Sequence, residues 1–198
     1  MGGWSIGFHR EGFECHGLDI VDVGYPYELI LCDVRDYVPP GGVYDVVVAS
    51  PPCVEFSVLT RGLAAMGRHA PPDPMKGMEL VNEAWRVICE VHPKFWVLEN
   101  VQGSFKHIYQ LLGQPNMKFA PYYLWGNFPK TLLSSSERFM KIHSMGLKTG
   151  SIMDAPGRFS PLASWIRAKI PYPLARMIAQ ACKERLLEDS VLVRTTRE

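Results

Sequence analysis

The chain has 198 residues, of which 47% are apolar, 21% charged and 11% aromatic, and its formal net charge is +1. This is the length of one domain, which buries roughly 70% of its unfolded surface, and the composition excludes a disordered or collagen-like chain. No apolar run reaches the roughly 20 residues that cross a bilayer, and Met1 does not open a basic-then-apolar leader. The sequence therefore predicts a soluble, cytoplasmic protein.

Charge is spread unevenly along the chain, whereas the cysteines are widely spaced. Residues 130–169 carry seven Lys or Arg and two acids, a local net charge of +5, whereas all other residues together carry −4. Such a stretch is typical of a surface that meets phosphates, but a solvated basic loop fits equally well. The five cysteines form no CxxC pair and no Cys/His pattern, which predicts neither a disulfide framework nor a metal site.

The first predicted elements alternate between strand and helix. Short apolar runs at 44–49 and 95–98 predict strands that are buried on both faces. Between them, residues 75–92 show the spacing of apolar residues along one helical stripe. The stripe consists of Met78, Val81, Trp85, Ile88 and Val91.

The later elements continue this alternation. Ser104 is predicted to cap a short helix that reaches Leu112, and residues 119–125 are predicted to form another strand. Residues 126–165 have no clear period, and 172–188 carry the stripe of a terminal helix. Together these elements predict an α/β domain with a mostly parallel sheet and with ligand-binding groups at the strand ends.

Two reactive side chains follow the two predicted buried strands. Pro51 and Pro52 make a stiff exit from the first strand and present Cys53 at its carboxyl end. A thiol there is a candidate nucleophile, although most free cysteines are small buried apolar residues. Glu99 follows the second strand and is either an acid that protonates a substrate nitrogen or a helix cap or surface carboxylate. In a parallel sheet, both side chains come to the same edge.

Two further acids follow earlier segments of the chain. Asp19 lies at a suitable distance beyond Gly2 and Gly3 to be the carboxylate that takes ribose hydroxyls in nucleoside-binding α/β folds. Asp33 is a second carboxylate, which follows the next segment of the chain as Asp19 follows the first. A glycine-rich start is weak evidence by itself.

In order and over most of its length, the chain resembles the cytosine-5 DNA methyltransferase family. Pro51-Pro52-Cys53 resembles its nucleophile motif, and Glu99-Asn100-Val101 resembles the motif of its catalytic glutamate. The resemblance implies a Rossmann-like methyltransferase domain whose first strand is missing here, because Met1 stands where that strand would end. It also implies the cofactor S-adenosylmethionine, bound by Gly2, Gly3, Asp19, Ile20, Asp33, Val34, Pro52 and Leu80.

The same resemblance implies the chemistry of the site. The Cys53 thiolate would add to carbon 6 of a cytosine that has left the DNA duplex, so that carbon 5 can take up the methyl group. Glu99 would bind N3 and the amino group of that base and stabilise the charge that develops. Residues 170–175 resemble the final motif, where the terminal helix packs beside the first helix.

The resemblance also divides the chain into a catalytic and cofactor-binding core (1–125), a reduced target-recognition region (126–165) and a C-terminal segment packed on the core (166–198). The family's Gln-x-Arg-x-Arg motif has no match, and residues 122–129 stand roughly in its place. The expected contacts with DNA phosphates are Arg61, Arg68, Arg138 and Lys141, of which Arg138 is also the nearest candidate to replace the absent arginine.

Two other functions fit the same residues. A methyltransferase that acts on RNA cytosine would share every side chain named above. A catalytically inactive remnant that binds nucleic acid or cofactor would also keep the fold. The resemblance favours the DNA enzyme, from a prokaryote or a phage, of the kind found in restriction-modification systems.

Overall fold

The computed structural model describes the chain in four stretches, residues 3–22, 24–119, 121–129 and 170–195. They fall into two compact units, of which the first comprises Met1–Leu31 and Pro129–Glu198 and the second Cys32–Phe128. The division predicted at residues 125 and 165 stays a prediction, since nearly all of the proposed recognition region lies outside the described residues.

The first unit joins residues from both ends of the chain. Its elements are helix α1 (Gly3–Arg10), strands β1 (His16–Asp19) and β2 (Glu28–Leu31), and the terminal helix α5 (Tyr172–Thr195). The two strands are parallel, with His16 opposite Glu28. The first described element is thus a helix.

Helix α1 packs closely on α5. A Cβ on Gly7 would lie 2.5 Å from the Cβ of Ala175 and 2.7 Å from its carbonyl carbon, so only glycine permits this approach. Leu174, Ile178 and Cys182 are fully buried on α5. The prediction that the terminal helix packs beside the first one is confirmed.

The second unit is a sheet covered by helices. Its strands are β3 (Val46–Ala49), β4 (Phe95–Val101), β5 (Met117–Phe119) and β6 (Tyr122–Asn127), in the order β3-β4-β6-β5. β3 and β4 are parallel, whereas β6 is antiparallel to both of its neighbours. Its helices are α2 (Val58–Ala65), α3 (Pro74–Val91) and α4 (Phe105–Leu112), with a 3-10 turn at Gln102–Ser104.

The strands predicted at 44–49 and 95–98 are β3 and β4, and β4 runs three residues further than predicted. The prediction over 119–125 is wrong in its bounds, since β5 ends at Phe119 and β6 begins at Tyr122. Pro121, which has no N–H to donate to a strand ladder, lies between them. The described strands give an α/β, Rossmann-like fold with a parallel pair in each unit.

Helix α3 has clear start and stop signals. The Asp73 carboxylate accepts hydrogen bonds from two backbone N–H groups of the first turn, and Pro74 occupies the first helical position. His92 ends the helix in the left-handed conformation, with φ 52°. The predicted stripe faces the core, where Val81 and Ile88 pack with Leu98 and Trp125.

Ser104 does not cap α4 as predicted. It has helical backbone angles, and its buried hydroxyl instead donates to the carbonyl of Val101 at 2.8 Å. The 3-10 turn that precedes α4 supplies the helix start in its place. None of the described helices is long and apolar enough to cross a membrane.

Candidate active site

Parallel pairing of β3 and β4 places their two motifs side by side. Ala49 pairs with Leu98, so Ser50 and Glu99 follow at the same level of the sheet. The Ser50 hydroxyl donates a hydrogen bond to the Glu99 carboxylate. One step further along, the Asn100 amide donates to the carbonyl of Pro51 at 3.1 Å. The chain that leads to Cys53 is thereby held against the strand that carries Glu99.

Glu99 is buried at the carboxyl end of β4. Its exposed fraction is 7%, and burial raises its pKa to about 7 although the hydrogen bond from Ser50 lowers it. At neutral pH this carboxyl group therefore carries a proton about half of the time. It can therefore both accept and donate a hydrogen bond, as an acid that exchanges a proton with a ring nitrogen must do.

Cys53 is partly buried beside this acid. Burial raises the pKa of its thiol, and the negative charge of Glu99 raises it further. The thiol is therefore mostly protonated when Glu99 is ionised. Protonation of Glu99 removes that charge and makes the thiolate easier to form.

The loop that carries Cys53 is anchored on both sides. Phe56 is 3% exposed, its N–H donates to the carbonyl of Cys53 at 3.0 Å, and its own carbonyl oxygen occupies the place where a Cβ on Gly103 would lie. That Cβ would be 2.0 Å from the oxygen, so any other residue at position 103 must displace the loop. On the other side, Glu55 accepts a hydrogen bond from the N–H of Asp73 at 2.7 Å.

Asp33, a predicted cofactor residue of the second unit, forms an ion pair with Arg35. The guanidinium donates to its carboxylate at 2.9 and 2.6 Å, and the Arg35 N–H donates at 3.0 Å. These bonds lower the pKa of Asp33 to about 2. Arg35 thus supplies three donors to a carboxylate that has about four acceptor positions.

The backbone after Asp33 is fixed by Arg86, a residue that sequence reasoning missed. Its guanidinium donates to the carbonyls of Val34 at 2.7 Å and Tyr37 at 3.0 Å, while Glu83 and Glu90 hold it at 2.7 and 2.8 Å. The spacing of these acids on a predicted helix indicates ion pairs with Arg86, but no sequence signal indicates the contact with a distant loop.

The structure describes most of the other predicted cofactor residues. Asp19 ends β1, with one carboxylate oxygen accepting from the Val21 N–H at 3.2 Å, and Ile20 beside it is 67% exposed. An exposed carboxylate next to an exposed apolar side chain suits a ribose and its base. Gly3 begins α1, and Gly2 lies outside the described residues. In the second unit Pro52 is exposed and Leu80 half-buried.

The predicted DNA contacts are exposed where the structure describes them. Arg61 on α2 and Arg68 beyond it form no ion pair with any described residue, and an Arg61 nitrogen lies 3.8 Å from the place of a Cβ on Gly103. Arg138 and Lys141 lie outside the described residues. Within the described stretches, no group of three or more His, Cys, Asp or Glu is arranged to hold a metal ion.

Comparisons with known proteins agree with this arrangement. The family described as C-5 cytosine-specific DNA methylase matches residues 30–112, which include both Cys53 and Glu99. A "Probable DNA (cytosine-5)-methyltransferase" of Frog virus 3 (isolate Goorha) is 29% identical over 130 residues, covering 63% of this chain and 60% of that protein. The "Type II methyltransferase M1.HphI" of Haemophilus parahaemolyticus is 31% identical over 122 residues, covering 54% of this chain and 31% of that protein. The chain thus spans part of the length of each relative, and its similarity to the C-5 cytosine-specific DNA methylase family covers residues 30–112.

Proposed function

We propose that the chain transfers a methyl group from S-adenosylmethionine to carbon 5 of cytosine in DNA. The observation that carries this proposal is the pairing of a partly buried thiol, Cys53, with a buried acid, Glu99, whose pKa of about 7 suits proton exchange with a base. The similarity to a probable DNA (cytosine-5)-methyltransferase and to a Type II methyltransferase supports a methyl-transfer reaction.

Each side chain has a defined task in this reaction. The Cys53 sulfur forms a bond to carbon 6, which makes carbon 5 electron-rich. Protonated Glu99 donates to N3 and, as a carboxyl group, accepts from the 4-amino group, so that it stabilises the charge that moves into the ring. After methylation a base removes the proton on carbon 5, and the bond to Cys53 breaks to restore the aromatic ring.

S-adenosylmethionine, when bound, supplies the electrophilic methyl group. Asp19 and Ile20 suit its ribose and adenine by their exposure, and the ionised Asp33 carboxylate is an acceptor for the adenine amino group. Gly2, Gly3, Val34, Pro52 and Leu80 complete the proposed cofactor contacts. Arg61, Arg68, Arg138 and Lys141 are proposed to contact the phosphates of DNA from which the target base has flipped out.

The test is methylation by the full chain with labelled cofactor. Unmethylated genomic DNA, RNA or no nucleic acid is added, and the products are digested to nucleosides. We expect label on 5-methyldeoxycytidine with the unaltered chain and none with Cys53→Ala, which keeps its DNA binding. Cys89→Ala is the matched control, since Cys89 is an exposed thiol on α3, and it is expected to keep full activity.

The other outcomes refute the proposal in distinct ways. Label on RNA cytosine alone would assign the chain to RNA. Absence of label in every arm, with cofactor or DNA still bound, would assign a binding function to an inactive member of the family. Full turnover by Cys53→Ala would reject the covalent mechanism.

A further inference from the structure

Tyr122 lies next to Glu99 in the sheet. In the antiparallel pairing of β4 and β6, Glu99 is opposite Leu124 and Val101 is opposite Tyr122. Residues two apart on a strand point to the same face, so Tyr122 is a diagonal neighbour of Glu99, within reach of an aromatic side chain. Tyr122 is 7% exposed. Its ring therefore belongs to the buried side of the candidate active site.

The adjacent tyrosine shows the alternation of the two faces. Tyr123 packs against Phe105 of α4, with ring centroids 6.0 Å apart, and against Trp125, at 6.2 Å. Trp125 and Leu98 belong to the core beneath the helices, on the face opposite to Glu99. The two successive tyrosines of β6 thus lie on opposite faces of the sheet, and Tyr122 lies on the same face as Glu99.

The charges that act on the Tyr122 hydroxyl come from Glu99 and Cys53, the two groups of the candidate active site. Burial, and to a smaller extent the negative charges of Glu99 and of the Cys53 thiolate, raise its pKa to about 12. Both groups are therefore near the phenol oxygen. The phenol keeps its proton over the whole pH range in which an enzyme works, so it is a permanent hydrogen-bond donor.

The chemistry of cytosine leaves a task for such a donor. The base has three polar positions on its pairing edge: the amino group, N3 and the carbonyl oxygen O2. Glu99 can serve the first two, and Cys53 serves carbon 6. When a thiolate adds to carbon 6, negative charge is delocalised over the ring and reaches O2, where a buried donor stabilises it.

We propose that the Tyr122 hydroxyl donates a hydrogen bond to O2 of the target cytosine and stabilises the negative charge that develops as Cys53 adds to carbon 6. This inference rests on the proposed function and extends it by one catalytic residue. The donor stays protonated throughout, so the step moves no proton to or from Tyr122. The bond strengthens as charge arrives at O2, which is how a donor of this kind accelerates a reaction.

The test compares Tyr122→Phe with Tyr123→Phe. Each variant loses one hydroxyl from the same strand, but only the first loses it from the face of Glu99. We expect Tyr122→Phe to lower kcat for DNA methylation about 100-fold, the effect of losing one such donor, with thermal unfolding and DNA binding unchanged. Tyr123→Phe should stay within about threefold of the unaltered chain.

A second variant keeps the proposal testable if Tyr122→Phe folds poorly. A tetrafluorinated tyrosine at position 122 keeps the approximate shape and the hydroxyl but ionises several pH units lower, which brings its ionisation into the working pH range. The inference then requires methylation to decline at lower pH than in the unaltered chain, because an ionised phenol cannot donate. An unchanged pH profile would overturn it.

Failure of this inference is distinct from failure of the proposed function. Unaltered turnover by Tyr122→Phe, with Cys53→Ala inactive, would overturn the role of Tyr122 alone. Methylation by Cys53→Ala, or none by the unaltered chain, would overturn both.

Discussion

Substitution of Glu99 by glutamine tests how strongly the site destabilises a charge. A carboxyl group with a pKa of about 4.5 in the unfolded chain and about 7 in the folded one is protonated preferentially when folded. Its contribution to stability is therefore fully present below pH 4.5 and is lost as the pH rises through 7. The shift of about 2.5 units corresponds to about 3 kcal/mol, of which about 2.5 kcal/mol falls between pH 5 and 8.

Glutamine has the same shape and keeps an acceptor for the Ser50 hydroxyl, but it does not ionise. Urea unfolding of both proteins at half-unit intervals from pH 5 to 8 isolates the effect of Glu99, because all other titrating groups are shared. We expect the free energy of unfolding of Glu99→Gln to exceed that of the unaltered chain by an amount that grows by about 2.5 kcal/mol over this range.

The reasoning is refuted by a difference that does not change with pH, since Glu99 would then titrate alike in the folded and unfolded states. A difference that moves in the opposite direction would mean that the folded state favours the carboxylate. Gln102→Glu is the matched control, because it adds a carboxyl group at an exposed position of the 3-10 turn that follows β4. It should change the stability profile by less than about 0.5 kcal/mol.

Three further results are expected. Gly103→Ala should lower the free energy of unfolding by about 2 kcal/mol or more, because the added Cβ would lie 2.0 Å from the backbone oxygen of Phe56. Gly62→Ala is the control, since no atom lies within 4 Å of its added Cβ, and equal melting curves for the two variants would contradict the expectation. Arg86→Met should lower the free energy of unfolding in urea by about 1–2 kcal/mol, because the carbonyls of Val34 and Tyr37 lose their donor. Arg185→Met, which removes an exposed ion pair, is the control and should lower it by less than about 0.5 kcal/mol. The methylation rate should rise with pH to about 7 and then level off, because ionisation of Glu99 offsets formation of the thiolate; a rise that continues unbroken to pH 9 would reject protonated Glu99 as the active form.

The strands that position the site could be predicted because their pattern is local. Two short apolar runs, each followed by polar residues, indicated buried parallel strands with Cys53 and Glu99 at their ends, and β3 and β4 pair in this way. The stripe of α3 was equally clear, since eighteen residues keep one period. The boundary between β5 and β6 was missed because the pattern of aromatic residues there does not reveal the turn at Pro121.

Contacts between residues far apart in sequence could not be predicted. Arg86 reaches a loop about fifty residues earlier in the chain, and no periodicity indicates which carbonyls it meets. The role of Gly103 depends on the path of the Phe56 carbonyl, which only the folded chain defines. Tyr122 was part of a stretch without a motif, and its place became apparent only from its register with β4.

One proton on Glu99 affects both halves of the proposed reaction. Ionised Glu99 raises the pKa of the Cys53 thiol, so a site in which Glu99 is ionised holds an unreactive thiol beside a carboxylate. When Glu99 is protonated, the charge that opposes the thiolate is gone, and the same proton faces N3 of a bound cytosine. The two groups therefore titrate as a coupled pair, and the nucleophile is activated most readily in the state in which the acid is ready to donate. Since burial is the largest cause of both pKa shifts, the packing at the ends of β3 and β4 raises the pKa of the nucleophile and of the acid together.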